Sequence, residues 1–230
     1  MSKHQSSLSH VDDGPDHIPV NVEGNIEGHR SLCTVQDFET EKCAFVGAVL
    51  TGGYASRMGR DKALLAVEGV PMATHVASAM LEAGAREVCA VGGDATTLGV
   101  LGLRIVPDRD PHQGPLAGII AALGVASEEI VVVTACDMPW IRKRHVTGLI
   151  EGLGSFDAAM SAAAGQPQPL HTAWKRAALQ RLEASFLSGE RSPLRAIRGL
   201  DYSVVDFGAG SWSIDLDTPG DVASAASPEN

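Results

Sequence analysis

From Phe45 onward the chain alternates short β-branched or apolar runs with amphipathic stretches of helical length, and this alternation leaves few folds open. A strand followed by a helix and then another strand, repeated, is the pattern of βαβ units around a mostly parallel sheet. Strands are expected at Phe45 to Leu50, Val88 to Val91, Leu103 to Val106, Ile130 to Ala135, Asp157 to Ser161, Leu170 to Trp174 and Tyr202 to Asp206. Helices are expected at Met72 to Ala83, closed by Gly84, at Pro115 to Ala126 with proline in its first turn, and at Arg142 to Gly152, Arg176 to Ser188 and Thr218 to Ala226. No repeat and no linker divides residues 44–230, so they are read as one α/β domain.

The first 43 residues obey a different grammar. Residues 1–42 hold three cations against eight carboxylates, a net charge of −5, which is half of the −10 carried by all 230 residues. The segment is rich in Ser and Gly, has no sustained hydrophobic period, and reads as a disordered acidic leader over residues 1–43. Its four histidines, His4, His10, His17 and His29, match no metal-ligand spacing. It lacks the apolar run of a signal peptide, and no window of the chain approaches the roughly 18 apolar residues of a membrane span. The acidic total disfavours a broad electrostatic footprint on nucleic acid or anionic membrane. Cys33, Cys43, Cys89 and Cys136 form no CxxC pair and read as reduced thiols, so a cytoplasmic location is expected.

Chemistry concentrates after the first strand, in AVLTGGYASRMGRDKALL, Ala48 to Leu65. Gly52 and Gly53 permit backbone conformations that aim N–H groups into one concavity, the way a chain grips phosphate oxygens without side chains. Arg57 and Lys62 add charge in the same long turn before the helix at Met72. Neither GxxxxGK[ST] nor GxGxxG is present, which removes two common nucleotide-binding loops. A solvated glycine-rich connection is the competing reading, and Gly-Gly alone would favour it. Gly-Gly followed in order by Arg57, Met58, Gly59, Asp61 and Lys62 does not.

These residues carry a resemblance. LTGGYASRMGRDKALL resembles the LxGGxSxRMGxDKxLL signature of nucleotidyltransferases with the glycosyltransferase-A-like, nucleotide-diphospho-sugar transferase fold, and most of all the molybdenum cofactor guanylyltransferases. Three further blocks follow in the family's order: Pro107 and Asp108 ending LRIVPD, GPLAG at Gly114 to Gly118, and CDMPW at Cys136 to Trp140. The resemblance spans about residues 44–226. It implies a three-layer α/β/α domain, GTP as nucleotide, Mg²⁺ as cofactor, molybdenum-loaded molybdopterin as acceptor, and molybdoenzymes or cofactor-assembly proteins as partners. By the same resemblance Leu50, Thr51, Gly52, Gly53, Lys62, Asp108 and Asp137 line the nucleotide, Lys62, Arg57 and Asp137 serve catalysis, and Asp137 holds the metal.

Asp137 also has a reading of its own. It follows the apolar run IVVVTA, at the carboxyl end of a buried strand, where open α/β sheets place ligands. A carboxylate there needs a counter-ion, and Mg²⁺ shared with substrate phosphates supplies one; the alternative is a cap for the helix that follows. GPLAG opens a helix whose amides can face an anion, or merely packs tightly on the sheet. Val91 to Gly93 replaces a family segment that often holds Asn, which leaves the backbone to make any base contact there. In SIDLDTP, Asp215 and Asp217 alternate on one face of an expected short strand, and Asp217 is also placed to cap the last helix; the family often carries Asn in one or both places, and the resemblance implies that the acceptor or a second metal contact lies there. QPQPLHTAW, Gln166 to Trp174, resembles the family's acceptor-side segment, which implies that His171 contacts the acceptor; the competing reading is a satisfied strand histidine. Arg191, Arg195 and Arg198 fall at helical spacing and face either an acceptor or solvent.

Together these parts describe nucleotidyl transfer with loss of pyrophosphate, chemistry that needs positioning and charge neutralisation more than a general base. No nucleophile elbow, HExxH or Cys-His pair offers a hydrolytic or covalent route. A cytidylyltransferase for the same cofactor and a guanylyltransferase for another phosphorylated small molecule stay open; by the resemblance, Gly-Gly after Thr51 favours guanine, since the cytosine-using relatives tend to have Ala-Gly there. From another class, a non-catalytic nucleotide-binding module that recruits assembly partners through the leader also stays open.

Overall fold

The computed structural model describes residues 43–52, 62–108, 113–216 and 221. In chain order the elements are β1 (Phe45–Leu50), β2 (Ala66–Val67), β3 (Val70–Pro71), α1 (Met72–Glu82), β4 (Val88–Val91), α2 (Ala95–Leu98), β5 (Arg104–Val106), α3 (Pro115–Val125), β6 (Ile130–Ala135), α4 (Lys143–Leu153), β7 (Ala158–Ala163), β8 (Gln166–Lys175), α5 (Leu179–Leu187), α6 (Pro193–Ile197) and β9 (Tyr202–Asp206). Seven strands form one sheet in the order β5-β4-β1-β6-β8-β7-β9. β1 pairs in parallel with β4 and β6, β4 with β5, and β7 with β9, while β8 runs antiparallel between β6 and β7. All six residues of β1 are buried, as expected for a strand covered on both faces.

The strand order carries a consequence for the site. The chain steps outward from β1 to β4 and β5, then returns past β1 to β6. Because crossovers between parallel strands are right-handed, reversing direction moves the connecting helix to the other face. Accordingly α1 packs in one core layer with Val49 and Val132, and α3 in the opposite layer with Ala48 and Val133. The gap above the carboxyl ends of β1 and β6 is therefore the topological switch point, the crevice where open α/β sheets bind ligands.

Four of the seven expected strands have the expected bounds, and the differences have local causes. β7 is Ala158–Ala163 and β8 is Gln166–Lys175, both longer than expected, because Pro167 and Pro169 do not break the strand. β6 reaches β8 only over Lys175 to His171, so the residues before His171 have no partner on that side and lose no bond to proline's missing N–H. A register shift between Met160 and Ser161 takes up the irregularity. The long turn expected to run to Met72 instead contains the β2–β3 hairpin, turned by Glu68 (φ 53°) and Gly69 (φ 81°). Short helix α2 is capped by Asp94, whose carboxylate accepts from the amides of Thr96 and Thr97. The strand expected before Asp217 is absent among the described residues: Ser211–Ser213 form a 3₁₀ turn and residues 214–216 are extended chain. Apart from Asp221, the helix expected at 218–226 lies outside the described residues, as do residues 1–42 of the leader.

Candidate functional site at the switch point

Three strand ends converge on one side of the crevice. Past β1, the amides of Thr51 and Gly52 both donate to Val91 O, at 2.9 and 3.0 Å, and Gly92 N donates to Val106 O at 2.9 Å. The buried Thr51 hydroxyl lies 3.1 Å from Val91 O and 3.0 Å from Gly92 O. These bonds bind the end of β1 to that of β4, so close that a Cβ on Gly92 would sit 2.8 Å from Gly52 Cα. Gly92 also holds φ +78°, a conformation suited to glycine. Asp108 stands beside it, its Cβ 3.7 Å from that same position. The Gly52 amide is thus committed to β4 and not aimed at a ligand. Glycine serves at 52 by letting two backbones touch.

On the other side of the crevice, β6 ends at Ala135, and Cys136 N ties the turn back to Leu50 O at 3.1 Å. Asp137 is next, and its Oδ2 lies 2.8 Å from Lys62 Nζ, a pair bridging 75 positions with each side chain about one-fifth exposed. Lys62 opens the 3₁₀ turn Lys62–Leu64, anchored by the fully buried Ala63 and by Leu65 N donating to Lys62 O. Below this turn Val67, Met72, Trp140 and Leu216 form a small apolar cluster with Leu65. Leu216 N donates to Asp137 O at 3.0 Å. The hairpin, the turn after β6 and the late extended segment thus grip Lys62 and Asp137 from behind, leaving their charged ends toward the crevice.

The first turns of α3 close the crevice on the opposite face of the sheet. A Cβ on Gly118 would lie 3.0 Å from Leu50 Cδ2, so the small residue of GPLAG is needed for packing. Arg191 and Arg195 do not share a helical face, because α6 starts only at Pro193. Arg191 Nε donates to Gln113 Oε1 at 2.9 Å, its guanidinium carbon lies 3.9 Å from the centre of the Phe186 ring, and Arg195 Nε donates to Glu190 Oε2 at 2.9 Å. That bond, with the amides of Ser192 and Arg191, holds the Glu190 carboxyl down at about 2.

The sequence candidates divide accordingly. Leu50, Thr51, Gly52, Lys62, Asp108 and Asp137 meet at the carboxyl ends of β1, β5 and β6. Gly53, Arg57 and Asp217 lie outside the described residues, and Asp215 is exposed on the segment that passes behind Asp137. His171 is fully buried, with Nδ1 2.9 Å from Thr134 Oγ1 on the neighbouring strand, in the setting of a core residue. Not foreseen from sequence are Gly92 as the backbone contact of Gly52, Trp140 and Leu216 as supports, and Trp212, which covers both His145 and His171 with ring centres 5.1 and 6.2 Å away. Trp140 lies inside the CDMPW block, but nothing local in the sequence marks Trp212.

This buried histidine cluster sets a pH dependence for stability. Burial, then the Arg144 and Arg142 guanidiniums, lowers His145 to about 4, and burial lowers His171 to about 3. Both rings are neutral when folded, whereas an unfolded histidine titrates near 6.5. Their contribution is therefore complete above about pH 6.5 and is lost as the pH falls from there toward the folded values. Each ring is expected to cost on the order of 1–2 kcal/mol of stability at pH 5 relative to pH 7.5. Denaturant unfolding at the two pH values measures this, and His171→Gln should flatten the profile.

Comparison with known proteins agrees with this geometry. Residues 47–203 match the sequence profile of the MobA-like NTP transferase domain. The chain is 35% identical over 154 residues to the molybdenum cofactor guanylyltransferase of Pseudomonas entomophila, covering 66% of this chain and 81% of that protein. It is 33% identical over 184 residues to the molybdenum cofactor guanylyltransferase of Rhodobacter capsulatus, covering 78% and 93%. The crystal structure of molybdopterin-guanine dinucleotide biosynthesis protein A from Archaeoglobus fulgidus superposes with a TM-score of 0.61 at 25% identity, over 78% of this chain and 95% of that one. A 4-diphosphocytidyl-2C-methyl-D-erythritol synthase from Anaerococcus prevotii superposes with a TM-score of 0.65 at 12% identity, over 80% of this chain and 94% of that one, which speaks for the fold alone. The sheet is that of the nucleotide-diphospho-sugar transferase fold, and with its signature cation and carboxylate joined at the switch point this nucleotidyltransferase belongs to the MobA-like NTP transferase domain family.

Proposed function

We propose that the chain transfers GMP from GTP to the terminal phosphate of molybdenum-loaded molybdopterin, forming the guanine dinucleotide cofactor and releasing pyrophosphate. The observation that carries this reading is the Lys62–Asp137 contact at the switch point, supported by relatives named molybdenum cofactor guanylyltransferase. An oxygen of the acceptor phosphate attacks the α-phosphorus of GTP; the new O–P bond forms as the bond to the bridging oxygen breaks, and that electron pair leaves with pyrophosphate. The nucleophile is already anionic at neutral pH, so no residue must remove a proton.

The residues divide the labour. Gly52, Gly92 and Asp108 form the side of the crevice that receives the nucleoside, and the backbone after Gly52, with Arg57 and Lys62, receives the triphosphate. Lys62 Nζ, a point charge on a flexible stem, exchanges the Asp137 carboxylate for phosphate oxygens and stays with the charge that develops on the leaving pyrophosphate. Asp137 fits Mg²⁺: its carboxylate stands just past the end of β6, about one-fifth exposed, and this hard cation is commonly held by one or two carboxylates plus substrate phosphates. When bound, Mg²⁺ neutralises phosphate charge and polarises phosphorus. Asp215 and Asp217 belong to the acceptor side in this reading.

The test is pyrophosphate release from the full chain with Mg²⁺, molybdenum-loaded molybdopterin and each of four nucleotides. GTP is expected to exceed ATP, UTP and CTP by at least about tenfold, since a site that hydrogen-bonds one base leaves buried polar groups unpaired with another. Faster turnover with CTP would overturn the guanine assignment and leave the chemistry standing. Absence of pyrophosphate release with every nucleotide would overturn both.

A further inference from the structure

Arg142, Lys143 and Arg144 open α4 side by side, all exposed, in a chain whose total charge is −10. None of the three pairs with a carboxylate among the described residues, although Arg86, Arg104, Arg181 and Arg195 all do. Arg142 Nη1 donates to Pro139 O and Ile141 O, at 3.3 and 3.2 Å, which folds its guanidinium over the turn that follows Asp137 and places it 5.8 Å from the centre of the Trp140 ring. The helix they begin has no acidic residue in its first turn. Cations at this end oppose the helix dipole, and they repel one another. Burial first, then the Arg144 and Arg142 guanidiniums, keep His145, in the same turn, from protonating. Arg144 Nε also donates to His145 Nε2 at 3.3 Å, so Arg142 and Arg144 each make local bonds, whereas the helix dipole by itself favours the opposite charge here.

Position gives the cluster a direction. Gly52, Gly92 and Asp108 occupy the ends of β1, β4 and β5, on one side of Asp137 in the sheet order. α4 packs mainly over β7, β8 and β9, on the other side, and also meets β6 and α1. Asp137 faces Lys62, Asp206 accepts from the amides of Ala164, Gly165 and Gly208, and Asp215 is exposed on the segment that passes Asp137. The three cations therefore follow the turn after Asp137, at the start of a helix that lies mainly on the side of the sheet away from the nucleoside, where a second substrate must approach.

We infer that Arg142, Lys143 and Arg144 form a cationic approach surface for the acceptor, drawing its phosphomonoester dianion toward Asp137 and Lys62 from the β8 side. This rests on the proposed division of the crevice between GTP and a phosphorylated acceptor. Such a surface raises the encounter rate of an anion with a protein whose overall charge would repel it, and its effect fades as salt screens it.

The experiment compares the full-length wild type with a triple variant, Arg142→Gln, Lys143→Gln and Arg144→Gln. Binding of molybdenum-loaded molybdopterin, without nucleotide, is measured by calorimetry at low and high salt, and initial rates are then measured with each substrate varied in turn. The variant is expected to bind the acceptor about tenfold more weakly at low salt, to lose most of the salt dependence, and to keep its KM for GTP within about twofold. Its melting temperature is expected to fall by only a few degrees, since the bonds of Arg142 to Pro139 O and Ile141 O and of Arg144 to His145 Nε2 are lost while cations opposing a helix dipole also go. Unchanged acceptor binding and salt dependence, or equal losses for GTP and acceptor, would overturn the inference. Salt-dependent binding lost in the variant, with no guanylyl transfer by the wild type, would sink the proposed reaction while the approach surface stood.

Discussion

Replacing Lys62 by alanine is expected to lower kcat/KM for guanylyl transfer about 10³-fold with the fold intact. Two features set the size of the effect. Lys62 is the described cation at the crevice whose ammonium reaches the switch-point carboxylate, and the turn that carries it is packed from behind by Ala63, Leu65 and the cluster around Trp140. A charge held by such a support requires little reorganisation when the reaction proceeds, which is where electrostatic catalysis gains most. Stability should change by only about 1 kcal/mol, because a pair one-fifth exposed contributes modestly and the apolar support stays. Arginine at 62 is expected to restore little, since a planar fork does not replace a compact charge at a packed position. Asp137→Ala should fall by a similar factor, and the double variant by much less than the product of the two, because both groups act on the same phosphates. Steady-state rates of the single and double variants, with melting curves alongside, decide this. A loss below tenfold at Lys62 would remove it from the reaction.

Legibility in the sequence followed the range of the forces involved. Strands buried on both faces, such as β1 and β6, announce themselves as unbroken apolar runs, and their expected bounds coincide with the observed ones. Lys62 and Asp137 were legible because each sits in an ordered motif beside such a strand, although their contact across 75 residues was not. Pieces held only by tertiary contacts were hidden. The β2–β3 hairpin has two residues per strand, too few for a period, and owes its place to Val67 and Met72 packing on Trp140. SIDLD alternates like a strand, yet residues 214–216 pair with no sheet; they are tethered by Leu216 to Asp137 O and to the apolar cluster. The prolines of β8 mimic a strand boundary because sequence does not reveal which side of a strand lacks a neighbour.

A second large effect is expected at Gly92, where no side chain exists to lose. Alanine there meets two separate obstacles. A residue with a Cβ at φ +78° loses about 1–2 kcal/mol to backbone strain. The added Cβ would also stand 2.8 Å from Gly52 Cα and 3.1 Å from Gly52 N, backbone atoms that cannot swing aside as a side chain can. Relief requires the end of β1 to lift from β4, which stretches the bonds from Thr51 and Gly52 to Val91 O and shifts the backbone that leads toward Lys62. Gly92→Ala is therefore expected to lose about 2–4 kcal/mol of stability and to raise the KM for GTP at least about tenfold. Gly102 provides the control, with φ +67° and nothing within 4 Å of the place a Cβ would take. Gly102→Ala should suffer the strain alone, about 1 kcal/mol, and keep its kinetics. If the two variants lose equal stability and both retain the wild-type KM for GTP, strain accounts for everything at Gly92, and the contact between the ends of β1 and β4 plays no part in shaping the nucleotide side of the crevice.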